Sequence, residues 1–304
     1  MAMVLLLAAC SGNDQDPPAG RINASYVVEG EVSCESDVKD APTLPFEDEP
    51  LSMLICADPD SLVPWTAPVD VVEQDLGRLV DAIGDLEPAP DEPFDCQSDG
   101  GVGFHLLLRL PQDRVVRVAG DTGGCSLIEN AGQRWLGGDE FFLTALELAE
   151  GQRKTASPPA SLPAALRDVP FCPVDTGMQP PYSLVGEARD LVSAVSCWRP
   201  DAKELPPFGP AVTVPRRDLR ALLDDLQQNT APSKVVGAGY DCPGGLENLY
   251  TQTLVGRTVW GDLVAVDGWC HEFFVRAPWT QTVNRAMLWH PSPAFQRILD
   301  DLRR

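Results

Sequence analysis

Leu51-Ser-Met-Leu-Ile-Cys56-Ala-Asp-Pro-Asp60 has a counterpart late in the chain, Leu191-Val-Ser-Ala-Val-Ser-Cys197-Trp-Arg-Pro-Asp201. Each is a short apolar run that closes on cysteine and is followed by Pro-Asp. A run of this length, bounded by turn residues, reads as a buried strand. Upstream of the first, Ser25 to Cys34 alternates in polarity and reads as another strand. Downstream, Pro68 and Asp70 introduce a helix over 71–86, with Val72, Leu76, Leu79, Val80, Ile83 and Leu86 on one face. Pro88 and Pro90 end it. Phe104–Leu110 and Val115–Ala119 flank Pro111-Gln-Asp-Arg114 as a hairpin over 104–119, and Asp139–Ala149 closes the segment as a second helix.

The same order follows the second run. Residues 216–227 form the helix, with Pro215 suited to its first turn. Residues 249–266 form the hairpin. Ser292–Leu302 is the closing helix, with Phe295, Ile298, Leu299 and Leu302 on one stripe. The fold class is therefore α+β. Two tandem homologous modules are expected at 22–150 and 170–304, joined by a linker at 151–169. Each would hold a small antiparallel sheet with a helix after its second strand, a hairpin and a closing helix.

The cysteines carry the same division. Of nine, Cys10 stands alone, and the rest form two sets of four: Cys34, Cys56, Cys96, Cys125 and Cys172, Cys197, Cys242, Cys270. In both sets the first interval is the shortest and the middle one the longest. Two repeats of one cysteine framework argue for disulfides in an oxidising compartment, two per module. Four cysteines allow three connectivities. Pairing of neighbours is favoured: Cys34–Cys56, Cys96–Cys125, Cys172–Cys197 and Cys242–Cys270. The hairpin turn places Cys125 within loop reach of Cys96.

The chain opens Met1-Ala-Met-Val-Leu-Leu-Leu-Ala-Ala-Cys10, an apolar run ending in small residues and a thiol. Leu7-Ala8-Ala9-Cys10 resembles the lipobox of bacterial lipoproteins. That resemblance implies a signal peptide over 1–10, lipid attached at Cys10, and a protein held on the extracellular side of the cell membrane. Residues 11–21 are polar and read as a tether. No later stretch holds the roughly 18 apolar residues a membrane helix needs, so acyl chains would supply the attachment, at about 0.8 kcal/mol per buried methylene. The modules themselves resemble uncharacterised secreted proteins and lipoproteins of actinobacteria in their cysteines and apolar positions, a resemblance that implies no activity. The subtilisin inhibitors, exported α/β domains with two disulfides, offer only an analogy, because their second cysteine lies in a helix whereas Cys56 and Cys197 end strands.

A net charge of −22 with no basic stripe disfavours nucleic acid as a partner. No Asp-x-Asp-x-Asp-Gly loop points to calcium. The three histidines are His105, His271 and His290, and none stands in a zinc-hydrolase or nucleophile-elbow motif. No Cys-x-x-Cys pair occurs, so disulfides outweigh metal ligation and neither metal nor cofactor is expected. Trp198, Trp260, Trp269, Trp279 and Trp289 crowd the second half and form a possible binding face. These features predict a non-enzymatic protein that binds an unknown protein or small molecule at the envelope. The alternatives are a hydrolase with its site between modules, where acidic residues of one half would meet His271, and a structural spacer.

Overall fold

The computed structural model describes residues 33, 34, 38, 43–46, 48–90, 101–160, 162, 172, 182–199, 211–233, 251–269, 272–275 and 286–303. Two antiparallel sheets and, among the described residues, four α-helices make the fold α+β. The first sheet comprises β1 (Ser52–Ala57), β2 (Glu87–Pro88), β3 (Gly103–Leu110), β4 (Arg114–Asp121), β5 (Leu127–Asn130) and β6 (Gln133–Leu136), in the order β1-β3-β4-β5-β6-β2. The second comprises β7 (Leu191–Arg199), β8 (Val212–Thr213), β9 (Thr230–Ser233), β10 (Thr251–Thr258), β11 (Leu263–Trp269), β12 (Glu272–Val275) and β13 (Ala286–Trp289), in the order β8-β7-β10-β11-β12-β13-β9. Helices α1 (Gly77–Gly84) and α2 (Gly138–Thr155) accompany the first sheet, and α3 (Arg216–Asn229) and α4 (Pro293–Asp301) the second. No helix among the described residues is long and apolar enough to cross a membrane.

Alternation decides which face of the first sheet is covered. Phe104, Leu106, Leu108 and Leu110 of β3 point into the larger core with Met53 and Ile55 of β1, where Phe141, Phe142, Ala145, Leu146 and Ala149 of α2 meet them. Phe142 stacks on Phe104 at 4.2 Å between ring centroids, and Trp65 meets Phe142 edge-on at 5.4 Å. The other face carries Leu54, Cys56 and Leu107 in a smaller cluster with Cys34, Val38 and Val71. In the second sheet, Leu254, Val264, Val266, Phe273 and Trp289 meet Leu219, Leu222 and Leu226 of α3 and Leu299 of α4. Tyr182, Val195, Cys197, Val255, Leu263 and Ala265 cluster separately.

The long outermost strands are not bare. Met53 of β1 exchanges two backbone hydrogen bonds with Val72, at 2.8 and 2.9 Å. The equivalent flank of β7 is paired with β8, Val195 opposite Thr213 and Ser196 opposite Val212.

Several elements differ from the sequence expectation. The helix expected over 71–86 is confined to Gly77–Gly84, because Val72 is spent on the bridge to Met53 and Asp75 has φ 57°, outside the helical region. The closing helix expected to end at Ala149 continues to Thr155, taking in the first residues of the expected linker. The hairpin β5–β6 was not anticipated. Its two-residue turn, Ala131 and Gly132 at φ 49° and 79°, belongs to the left-handed type that suits strand twist. Strands β2, β9, β12 and β13 are likewise additional. The signal and tether expected over 1–21 lie outside the described residues, as does the strand expected over 25–34 except for Ser33 and Cys34, which are not in a strand.

Candidate functional site

Two of the expected disulfides are present, Cys34–Cys56 and Cys172–Cys197, with Cα separations of 5.6 and 5.4 Å. Cys125 is also disulfide-bonded. Cys96, Cys242, Cys270 and Cys10 lie outside the described residues, as do His271 and Trp279. Trp269 ends β11, and its side chain is not among those described. The expected tryptophan face does not assemble from the remaining three. Trp289 is fully buried and donates from Nε1 to Asp225 Oδ2 at 2.9 Å. Trp260 is buried. Trp198 is half-buried beneath the Arg303 guanidinium, 4.5 Å from its ring centroid. An indole in a strand alternating with polar residues has its body drawn inward by the area it removes from water.

One cluster of chemically capable side chains stands on the smaller face of the first sheet. Antiparallel register sets His105 of β3 directly opposite Cys56 of β1, so both side chains leave the same face. The Cys34 loop covers them through the disulfide. Both sulfurs and a ring nitrogen of His105 lie within 4.8 Å of one another. Joined as a disulfide, the sulfurs offer no thiolate to a metal. His105 is buried, Nε2 lies 3.3 Å from the Cys34 carbonyl, and Nδ1 has no hydrogen-bond partner among the described residues. Burial, reinforced by Arg117, holds its pKa below the ordinary 6.5, against the opposing effects of the Cys34 carbonyl and Asp58.

A second cluster links the end of α2 to residues of the second half of the chain. The Arg153 side chain, from the last turn of α2, is gripped on two sides. Nε and Nη2 donate to the two oxygens of Asp70, and Nη1 and Nη2 to those of Asp262, at 2.7 Å for Nη1. The side chains of Arg153, Asp70 and Asp262 are 7, 11 and 0 % exposed. Trp260 caps the guanidinium at 5.1 Å. Burial works against the Arg153 cation, but Asp262 and Asp70 outweigh it and hold the pKa above the usual arginine range. Asp262 also accepts from Ser183 Oγ and Thr258 Oγ1, both at 3.1 Å. Around this knot the chain laces the halves together. Thr66 N donates to Tyr182 O, Ser183 N donates to Leu263 O, and Val185 sits in the first core while Ala188 sits in the second.

Arg257 stands beside this knot on β10, opposite Ser193 and Leu263. It is 1 % exposed. Nη1 donates to Gly261 O at 2.9 Å, while Nε and Nη2 have no hydrogen-bond partner among the described residues. That Nε–Nη2 edge is the fork that takes an oxyanion through two parallel hydrogen bonds. Burial lowers the Arg257 pKa, and Asp262 only partly offsets it. Asp190, which also feels Arg153, has its pKa raised by burial first. Sequence reasoning missed Asp70, Arg153, Arg257 and Asp262 as a group. Their separation along the chain hides the grouping, and no short motif marks it.

The comparisons add no relative: no family model, no curated protein and no solved structure matches the chain.

Proposed function

We propose that this is a lipid-anchored extracytoplasmic protein, built from two copies of one module, that acts by binding a small ligand bearing an oxyanion. The binding reading is carried by one observation, the buried Nε–Nη2 fork of Arg257, which meets no partner among the described residues. A buried charged donor left unpaired costs about 1–3 kcal/mol or more, and native structures meet such a group with a ligand, an ion or water. Half-buried Ser193, directly across from Arg257, adds a hydroxyl on the same face. The Arg153 knot beside it holds the neighbouring charges in fixed places, and such pre-organisation lowers the ordering cost of binding.

The duplication is supported by strand order. With Val72 standing where β8 stands, each sheet begins with a short flank, then the strand bearing Cys56 or Cys197, then the hairpin. The envelope location is supported by Leu7-Ala8-Ala9-Cys10 and by the two bridges, which persist in oxidising compartments.

Thermal unfolding in acetate, succinate or phosphate, against chloride at equal ionic strength, tests the binding role. Saturation at a hundredfold excess over Kd stabilises by about 2.7 kcal/mol. One of the anions should raise the Tm of the wild type and leave Arg257→Gln unmoved. No shift with any of them would mean that water completes the fork, and the reading would fall. For the anchor, Cys10→Ala should release the protein from membranes and abolish labelling by a palmitate analogue. Equal labelling of the variant would refute it.

A further inference from the structure

We propose that Cys34–Cys56, with His105, is a thiol–disulfide exchange centre for an external dithiol, whereas Cys172–Cys197 is a structural staple. The inference is independent of ligand binding at Arg257. It rests on a difference between two otherwise matched bridges. In each, one fully buried cysteine, Cys56 on β1 or Cys197 on β7, sits on the long strand beside the short flank of its sheet, and its partner is half-buried, Cys34 and Cys172. The residue directly opposite the buried cysteine is His105 in the first sheet and Thr253 in the second. Only the first bridge therefore has a base in its cross-strand position.

The less buried cysteine sets the direction of attack. An incoming thiolate reaches Cys34 Sγ, the S–S bond breaks, and its electron pair leaves on Cys56 Sγ. Cys56 is enclosed by Leu54, Leu107 and Val71, where an unprotonated thiolate is poorly solvated. A ring nitrogen of His105 stands within 4.8 Å of both sulfurs, and Nδ1 has no hydrogen-bond partner among the described residues. The ring takes the proton of the attacking thiol as that thiol becomes the thiolate, and passes it to Cys56. The second thiol of the dithiol then attacks the external sulfur bonded to Cys34 and displaces the Cys34 thiolate, which takes up the second thiol's proton; an external disulfide and a reduced Cys34/Cys56 pair remain, two electrons having moved from the dithiol. In the closing direction the imidazole removes the Cys56 proton. The ring is suited to that task because burial keeps it neutral near pH 7, with Arg117 on β4 and Asp58 after β1 the charges that face it.

Two variants of one experiment decide it. The native full-length protein is exposed briefly to dithiothreitol, quenched, alkylated and mapped by mass spectrometry, so both bridges are timed in the same molecule. Cys34–Cys56 should open and reclose at least ~10-fold faster than Cys172–Cys197, a modest share of the roughly hundredfold that a positioned acid–base group contributes. His105→Thr, which installs the residue of the second sheet, should bring the ratio of the two rates close to one. The ratio normalises for any general loosening of the fold. Equal rates in the wild type, or an unchanged ratio in His105→Thr, would overturn the proposal.

Discussion

Replacing Arg153 by Met removes the cation from between two carboxylates and keeps an apolar stem of similar length. Asp262, with no exposed surface, then loses its ion-pair partner, and Asp70, 11 % exposed, faces the same space. Breaking a buried pair from one side costs about 3–5 kcal/mol. Loss of the contact with Trp260 adds about 1 kcal/mol. At roughly 2–4 °C per kcal/mol for a cooperative unit of this size, the Tm should fall by about 10 °C or more. Urea unfolding followed by tryptophan fluorescence measures the loss directly, and Trp260 lies at the site of change. The triple variant Asp70→Asn, Arg153→Met, Asp262→Asn should recover at least half of it, because an ion group replaced as a whole leaves no orphan charge. A loss below about 1 kcal/mol for Arg153→Met would refute the reasoning, since that is the worth of an exposed pair.

Two further outcomes follow from the described contacts. Trp289→Phe should cost about 2 kcal/mol in urea unfolding, since Asp225 loses one of its three donors, Trp289 Nε1, and keeps only Asn229 Nδ2 and Ser292 N; combined with Asp225→Leu, the two losses should be clearly less than additive, and strict additivity would deny the contact. His105 binds its proton less readily folded than unfolded, so its contribution to stability is present above the ordinary 6.5 and is lost as pH falls through the lowered folded value. Wild type should therefore lose more stability than His105→Gln between about pH 7 and pH 5, and parallel curves would contradict the assignment.

The elements legible from sequence are those whose partners are adjacent or whose period is clean. The β3–β4 hairpin is written in Phe104, Leu106, Leu108 and Leu110 alternating before a Pro-containing turn, and it forms where expected. The last turn of α2 was illegible for the opposite reason. Gln152, Arg153 and Thr155 carry no apolar stripe, and each is held by a distant group: Gln152 by the backbone at Val71 and Glu73, Arg153 by Asp70 and Asp262, Thr155 by Gln74. Local pattern therefore stops at Ala149 while the helix continues. Short strands such as β9, Thr230–Ser233, hold a proline and no alternation, and pairing with β13 alone defines them. At the candidate sites the cysteines were visible, because spacing recurs. The orphaned fork of Arg257 was not, because being without a partner is a property of the folded neighbourhood.

The flanks laid along β1 and β7 bear on how such a chain survives at high local density. Tethered molecules would share a two-dimensional surface, where a bare strand edge meets its twin far more often than in bulk solution. Leu54, Ile55, Val195 and their neighbours would make an adhesive template if their backbone groups stood open. Val72 occupies Met53's outward donor and acceptor, and the two residues of β8 do the same for β7. The cover is too short to add much to any core. Its effect is to leave a neighbouring copy no continuous row of amides on which to grow a filament.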